Sequence, residues 1–457
     1  MPAEKMGVQG LLTYIMNNPP ARQKVHLKHL SHDIHQRTGQ KGELLCDYFS
    51  VIHWLLSTYD WTLTHQGKLP LYSLLYGGDL RQYGPRVVSF VKALESIDIV
   101  PVFFIDGPPG TNQTDFVAKF SELKSRYLKK VELGAIVQQI CDGNNDLLQA
   151  KWSLREGVST QVEFALKSAG VNVVYCLGEA DCEMLKYLKS HDSVCGILST
   201  DTDFAVAYGS KLFLPEYFDL NKDLGISSDS ICEYPEDIVC EVVTPACVAN
   251  ALKITETQLA DLAVLCGNDF TRHINAKLLA AVGLSDSKVE TVAEWLQEQS
   301  DSLLENETMV KLFAQHSHFR SAIEHTYNTQ FKCLHATPTM SRTPLVEFVH
   351  QMVTSGSMSP HLLSIVNGTY WRLAVTEPVA LGQPCCNDLT VFLRRSVYAL
   401  MAIGNVREYG RTASKSFAEI PLSVSCVVTD GLQQLRSMRE LTINEKVLHV
   451  HVLLCTT

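Results

Sequence analysis

Short apolar runs, each closed by a carboxylate, recur along the first part of the chain. Residues 171–177 (V-N-V-V-Y-C-L) and 194–198 (V-C-G-I-L) are apolar almost throughout. That is the pattern of strands covered on both faces in a parallel sheet. Glu179 and Asp181 follow the first run, and Asp201 and Asp203 follow the second. The same grammar appears earlier: residues 43–46 lead into Asp47, and residues 99–105 (I-V-P-V-F-F-I) lead into Asp106 and a Gly-Pro turn. A further short strand is predicted at 211–214. Helical periodicity falls between these runs, at 11–16, 48–57, 86–97, 159–168 and 258–265, with one more helix between the two central runs. The alternation predicts an α/β fold, a twisted, mostly parallel sheet with helices on both faces. Beyond residue 284 the pattern changes. Helices are predicted at 289–313, 346–366, 393–403 and 432–450, with a linker at 337–343 and a short strand at 424–428. The chain therefore divides into residues 1–285 and a mainly helical C-terminal region, 286–457.

The carboxylates carry the candidate chemistry. In open α/β sheets, groups just past the carboxyl ends of the strands line the binding crevice. Carboxylates gathered there repel one another and raise their own pKa values unless a cation neutralises them. A hard, oxygen-seeking divalent ion such as Mg²⁺ or Mn²⁺ is the natural partner. A single strand-end acid is ordinarily a helix cap or a residue favoured by the helix dipole. Repetition at Asp47, Asp106, Glu179/Asp181 and Asp201/Asp203 is harder to explain by capping alone. Asp269, in the G-N-D-F turn after the 258–265 helix, is a further candidate and also an ordinary turn residue.

Composition narrows the class. The 457 residues are 46% hydrophobic and 19% charged, values of a soluble globular protein. No apolar run approaches the ~18 residues a membrane span needs, and the opening M-P-A-E-K-M-G-V-Q-G has no apolar core of the secretory kind. The 14 cysteines are scattered, without a C-x-x-C, and several lie inside apolar runs. Reduced, buried thiols in the cytosol or nucleus are the reading. A net charge of −10 excludes a strongly basic nucleic-acid binder and makes any such binding modest and salt-sensitive. The most basic stretch, 116–141, carries Lys119, Lys124, Arg126, Lys129 and Lys130. Lys119, Arg126 and Lys130 share a face, which is either solvated or holds a phosphate backbone. His26, His29, His32 and His35 recur every third residue. They are a metal face or a solvated helix, and a step of three does not keep one face.

In order along the chain, Met6-Gly-Val-Gln-Gly-Leu11, Asp47, Phe104-Ile-Asp-Gly107, Gly178-Glu-Ala-Asp181, Ser199-Thr-Asp-Thr-Asp203 and Leu265-Cys-Gly-Asn-Asp269 resemble the XPG/flap-endonuclease superfamily, which has a PIN-like fold. The resemblance covers roughly residues 6–285 and is closest to the Asteroid / constitutive coactivator of PPAR-gamma branch. It implies that Asp106, Glu179, Asp181 and Asp201 hold one Mg²⁺ or Mn²⁺, with Asp47 close by. Asp203 and Asp269 would complete a second site, the two ions clamping a scissile phosphate. It implies a nuclease acting on single-stranded or flap-like DNA or RNA, in the nucleus or cytoplasm. The alternative is a catalytically idle nucleic-acid-binding or coactivator scaffold, with a protein partner at the C-terminal region. Several positions depart from the superfamily pattern. Asp181 is one methylene shorter than the usual Glu. His53 stands where a base-stacking tyrosine is usual. Residues 271–277 lack the glycines of the duplex-gripping turn. The phosphate-polarising lysine has no single counterpart, Lys119, Lys124 and Arg126 being candidates. Gly7 matches the N-terminal glycine that approaches the cleft.

Overall fold

The computed structural model describes residues 7–57, 80–107, 158–218, 236–328, 343–358, 361–366, 369–371, 405–411 and 417–423, with helical positions at 120, 124, 128, 132, 139, 394 and 398. Its main sheet has seven strands: β1 (Gln23–His26), β2 (Gly42–Asp47), β3 (Ile99–Ile105), β4 (Asn172–Tyr175), β5 (Val194–Leu198), β6 (Leu212–Phe213) and β7 (Val239–Val243). Their order is β1-β7-β6-β5-β2-β3-β4. From β6 to β4 every neighbouring pair is parallel, while β7 and β1 add an antiparallel edge. The strand at 171–177 is shorter than expected, the β5 and β3 strands match, and β1 and β7 are additions. Pro101 sits in β3 before the part paired with β4, where only β2 flanks it, a place a proline tolerates.

The period-two alternation of strand side chains separates two apolar layers. Leu45, Val102, Phe104 and Ile197 face one core, and Leu44, Cys46, Phe103 and Leu198 face the other. Helices α1 (Leu11–Asn17), α2 (Leu27–Thr38), α3 (Tyr48–Ser57), α4 (Leu80–Glu95), α5 (Val158–Ser168), α6 (Ala180–Ser190), α7 (Asp203–Val206), α8 (Pro245–Leu252), α9 (Leu259–Cys266) and α10 (Asn275–Ala281) surround them. All eight residues of α9 are buried, so its apolar run reads as a core helix. His26, His29, His32 and His35 are all exposed on or just before α2, which makes that series a solvated face.

The later helices are α11 (Val289–Gln297), α12 (Glu307–Gln315), α13 (Ser317–Thr326), α14 (Pro344–Thr354) and α15 (His361–Val366). The helix expected over 289–313 is broken between α11 and α12, where the Asn306 side chain accepts the N–H groups of Thr308 and Met309 and starts a new helix. The one expected over 346–366 is likewise two, α14 ending just before Gly356 at φ 70°. Val292, Leu296, Met309, Phe313, Phe319 and Ile323 join the first core, and Val349, Val353, Leu362 and Leu363 the second. Among the described residues, packing is therefore continuous across residue 285. A separate three-stranded sheet, β8 (Thr369–Trp371), β9 (Asn405–Arg411) and β10 (Phe417–Ser423), was not foreseen. Its central strand N-V-R-E-Y-G-R hides its burial, because Glu408 is wholly buried against Arg394, at 2.9 and 3.0 Å, and the Tyr398 hydroxyl, at 2.9 Å. The segments expected at 337–342, 424–428 and 432–450, and most of 393–403, lie outside the described residues. Among the described residues no helix is long and apolar enough to cross a membrane.

If packing is continuous past residue 285, Phe319→Ala should lower the stability of the whole molecule. A fully buried Phe truncated to Ala costs about 3–5 kcal/mol. Calorimetry should record one transition moved to lower temperature; an unmoved main transition beside a separate small one would contradict the shared core.

Candidate active site

Parallel pairing brings the strand-end acids to one edge of the sheet. β5, β2, β3 and β4 are successive neighbours running the same way, so the residues that follow them emerge side by side. Asp47 ends β2 opposite Phe104, which puts Asp106, the residue just past β3, two positions further out. Gly107 then meets the end of β4. Its N–H donates to the Gly178 carbonyl at 2.7 Å, and a Cβ there would lie 2.2 Å from the Cys176 carbonyl. Only glycine permits this approach, and it sets Asp106 at the start of α6, where its Oδ1 accepts the Ala180 N–H at 2.9 Å. Glu179 is the residue before α6 and Asp181 lies in its first turn.

Asp47, Asp106 and Asp201 each have a local tether, so the capping interpretation is partly right. Asp47 Oδ2 accepts the Ser199 hydroxyl at 2.7 Å. The same Ser199 oxygen accepts the Asp201 N–H at 3.0 Å, and Asp201 Oδ1 accepts the Asp203 N–H at 2.9 Å. Ser50, at the head of α3, bonds the Thr200 N–H at 2.6 Å and the Thr200 hydroxyl at 2.7 Å. These bonds lock the end of β2 to the end of β5.

Capping does not account for the electrostatics. Burial, opposed by the Ser199 hydrogen bond and reinforced by Asp106, pushes the Asp47 carboxyl up to about 6. Asp181 is pushed well above the usual carboxylate range by burial, then by the charges of Asp201, Asp47, Asp106 and Glu179. Asp201 is pushed the same way by burial, then by Asp203, Asp269 and Asp47, its bond from the Asp203 N–H only partly offsetting them. Every strand-end acid singled out in the sequence, and Asp269, therefore lies in one shared field. The donors are all carboxylate oxygens, and their mutual repulsion is what a hard divalent cation relieves. The set fits Mg²⁺ or Mn²⁺ by chemistry. As they stand, no three or more His, Cys, Asp or Glu side chains among the described residues are drawn together at ion-holding separation.

The other candidates divide. Gly7 lies against the acids: at φ 77°, a Cβ on it would come within 2.2 Å of Asp201 Oδ1 and 2.6 Å of the Asp203 nitrogen. His53 is half-buried on α3, and burial lowers its pKa. Phe49, one helical turn nearer the sheet edge, is the exposed aromatic there at 41%. Lys124 is helical and exposed, while Lys119, Arg126 and Lys130 lie outside the described residues. Sequence reasoning also missed Ser50, Ser199 and Arg272. The Arg272 guanidinium donates to the Gly7 carbonyl at 3.2 Å and stands 3.8 Å from Asp269, and the Gln9 N–H donates to the Gly267 carbonyl at 2.9 Å. The N-terminal turn is thereby wedged between Asp201–Asp203 and the Asp269 turn. Only the S-T-D-T-D spelling hinted at Ser199, and nothing local marked Arg272.

The raised Asp47 pKa sets a pH prediction for the metal-free protein. An unfolded Asp releases its proton near ~3.9, the folded one at about 6. Between these values the folded state binds more protons, so stability falls as pH rises through the window and is level above it. Asp47→Asn removes the titration. The melting temperature of the wild type minus that of the variant should fall from about pH 4 to about pH 6. A difference that ignores pH would contradict a buried, charge-penalised Asp47.

Residues 170–269 match the family model described as the XPG I-region. That interval opens just before β4 and closes on Asp269. Among curated proteins, the constitutive coactivator of peroxisome proliferator-activated receptor gamma from Mus musculus is 28% identical over 199 residues, 44% of this chain and 23% of that protein. The Homo sapiens protein is 26% identical over 197 residues, 43% and 19%. The Bos taurus protein is 24% identical over 266 residues, 58% and 33%. The chain thus spans no more than a third of the curated relatives it matches. Among solved structures, the catalytic core of Rad2 with a DNA substrate is 14% identical with a TM-score of 0.34, over 77% of this chain and 96% of that one. Human GEN1 with Holliday junction DNA is 16% identical with a TM-score of 0.35, over 78% and 76%. Residues 170–269 are thus similar to the XPG I-region, and the chain is similar to the constitutive coactivators of PPAR-gamma.

Proposed function

We propose that this protein is a divalent-metal-dependent nuclease-type protein acting on single-stranded or flap-like DNA or RNA. The observation that supports it most is the shared field of the strand-end acids, in which Asp181 and Asp201 are raised by their neighbours as well as by burial. A buried set of like charges is a standing cost to the fold, and a site for two Mg²⁺ or Mn²⁺ ions gives that cost a use. In this reading Asp106, Glu179, Asp181 and Asp201 hold one ion with Asp47 beside them, and Asp203 and Asp269 complete the second site. When bound, such ions neutralise the carboxylates, bind phosphate oxygens and make water more acidic. The chain's own part is positional. Ser199 orients Asp47, the α6 N-terminus orients Asp106, and the Asp203 N–H fixes one oxygen of Asp201. Lys119, Lys124, Arg126 and Lys130 are assigned to the phosphate backbone, with His53 and Gly7 at the cleft. Residues 1–285 would form the nuclease unit and 286–457 a region open to a protein partner, in nucleus or cytoplasm.

A second reading is favoured by two observations. The curated relatives are named as coactivators, and residues 271–277 lack the glycines of a duplex-gripping turn. Here the protein keeps the nuclease fold as a nucleic-acid-binding or coactivator scaffold without catalysis.

Cleavage of labelled single-stranded and flap oligonucleotides in Mn²⁺, beside Asp201→Asn, separates the readings. The first expects cleavage by the wild type and a loss of about 100-fold or more in the variant, on the scale of removing one electrostatic catalytic group. Melting should be followed in parallel. An ion at about 100 times its Kd adds about 2.7 kcal/mol to stability, so Mn²⁺ should raise the melting temperature of the wild type and not of Asp201→Asn/Asp203→Asn. Stabilisation without cleavage moves the conclusion to the scaffold; no stabilisation and no cleavage removes the metal site.

A further inference from the structure

Asp269 is the acid with the least support from the sheet. It follows α9 on an exposed turn, and its charge and that of Asp201 repel each other. Its neighbours, by contrast, are held by an unusual set of buried polar contacts. Asn268 is fully buried. Its Oδ1 accepts the N–H groups of Phe270 at 3.1 Å and Thr271 at 3.0 Å, and its Nδ2 donates to the Thr326 hydroxyl at 3.2 Å. That hydroxyl donates in turn to the Ala322 carbonyl at 3.1 Å. The Thr271 hydroxyl, also buried, accepts the Asn268 N–H at 3.2 Å and reaches the Val264 carbonyl at 3.1 Å. On either side of Thr326, the His325 ring meets the Phe270 ring edge-on at 4.3 Å, and the Tyr327 hydroxyl donates to Asp261 in the first turn of α9. Three successive residues, the last two of α13 and Tyr327 just after it, therefore hold residues on both sides of Asp269.

We infer that residues 325–327, at the C-terminal end of α13 and its cap, are the positioning element for Asp269, with Thr326 the central residue. The segment after residue 285 would thus complete the acid site rather than serve only as an appended region. The inference rests on the metal-site reading for its chemical purpose, and on the hydrogen-bond geometry alone for the restraint. A buried amide that loses its partner costs more than the bond itself was worth, so the network holds as a unit or fails as one. The Arg272–Asp269 pair cannot replace it, being half-exposed on both sides and 3.8 Å long.

Thr326→Val keeps the shape of the side chain and removes its hydroxyl; Thr326→Ser keeps the hydroxyl. Two readouts separate the restraint from its purpose. In the metal-free protein, hydrogen exchange at the Phe270 and Thr271 amides should quicken about tenfold in Thr326→Val, the effect of one lost buried hydrogen bond, while exchange in β2, β3 and β5 is unchanged. In a Mn²⁺ titration followed by paramagnetic resonance, the weaker of two binding steps should weaken about tenfold, by the same bond energy, and the tighter step should hold. Thr326→Ser should restore both. Unchanged exchange at 270 and 271, or an acceleration spread evenly over the molecule, overturns the inference. If the wild type binds no Mn²⁺, the metal-site reading fails, and the exchange measurement by itself decides whether Thr326 positions the turn.

Discussion

Like charges held together at the carboxyl edge of a parallel sheet are the constraint on which the rest of this structure turns. Asp47, Asp106, Glu179, Asp181 and Asp201 could not lie in one field unless β5, β2, β3 and β4 were adjacent and parallel. That adjacency in turn requires crossover helices on both faces, which the two apolar layers on either side of the sheet accommodate. The electrostatic cost is met locally, by the Ser199 hydroxyl, the Ala180 and Asp203 N–H groups and the head of α3, and only in part. Asp181 and Asp201 stay well above their ordinary range.

Two glycines let the backbone approach where a side chain would obstruct it. Gly107 allows the ends of β3 and β4 to meet, and Gly7 allows the N-terminal turn to lie directly on Asp201 and Asp203. Beyond them, the Asp269 turn is joined to the N-terminal turn by the Gln9–Gly267 and Arg272–Gly7 hydrogen bonds and to the end of α13 by Thr326. The edge of the sheet is thus closed by the N-terminal turn and by the end of α13.

The α/β order and the strand-end acids were legible because burial on both faces writes itself into continuous apolar runs. Residues 194–198 and 99–105 are strands over their full expected lengths. Elements stabilised by other means were not legible. β1 is short and mostly exposed, and β9 buries Glu408 against Arg394, so neither shows the alternation that marks a strand. Helix breaks at 298–306 and near Gly356 were hidden because apolar spacing continues across them. For the site, residue type and strand position pointed to the acids, but Ser199, Arg272, Asn268 and Thr326 act through contacts between residues far apart in sequence. His53 was assigned by its spacing from Asp47; it is half-buried on α3, and Phe49, on the same helix, is exposed.

The most direct test of the acids as a metal centre is anomalous diffraction from crystals of the protein soaked in Mn²⁺. Two anomalous peaks are predicted, one among Asp47, Asp106, Glu179, Asp181 and Asp201 and one beside Asp203 and Asp269, with the carboxylates drawn inward from their present separation. Full Mn²⁺ exposure with no peak at this edge of the sheet would contradict the account.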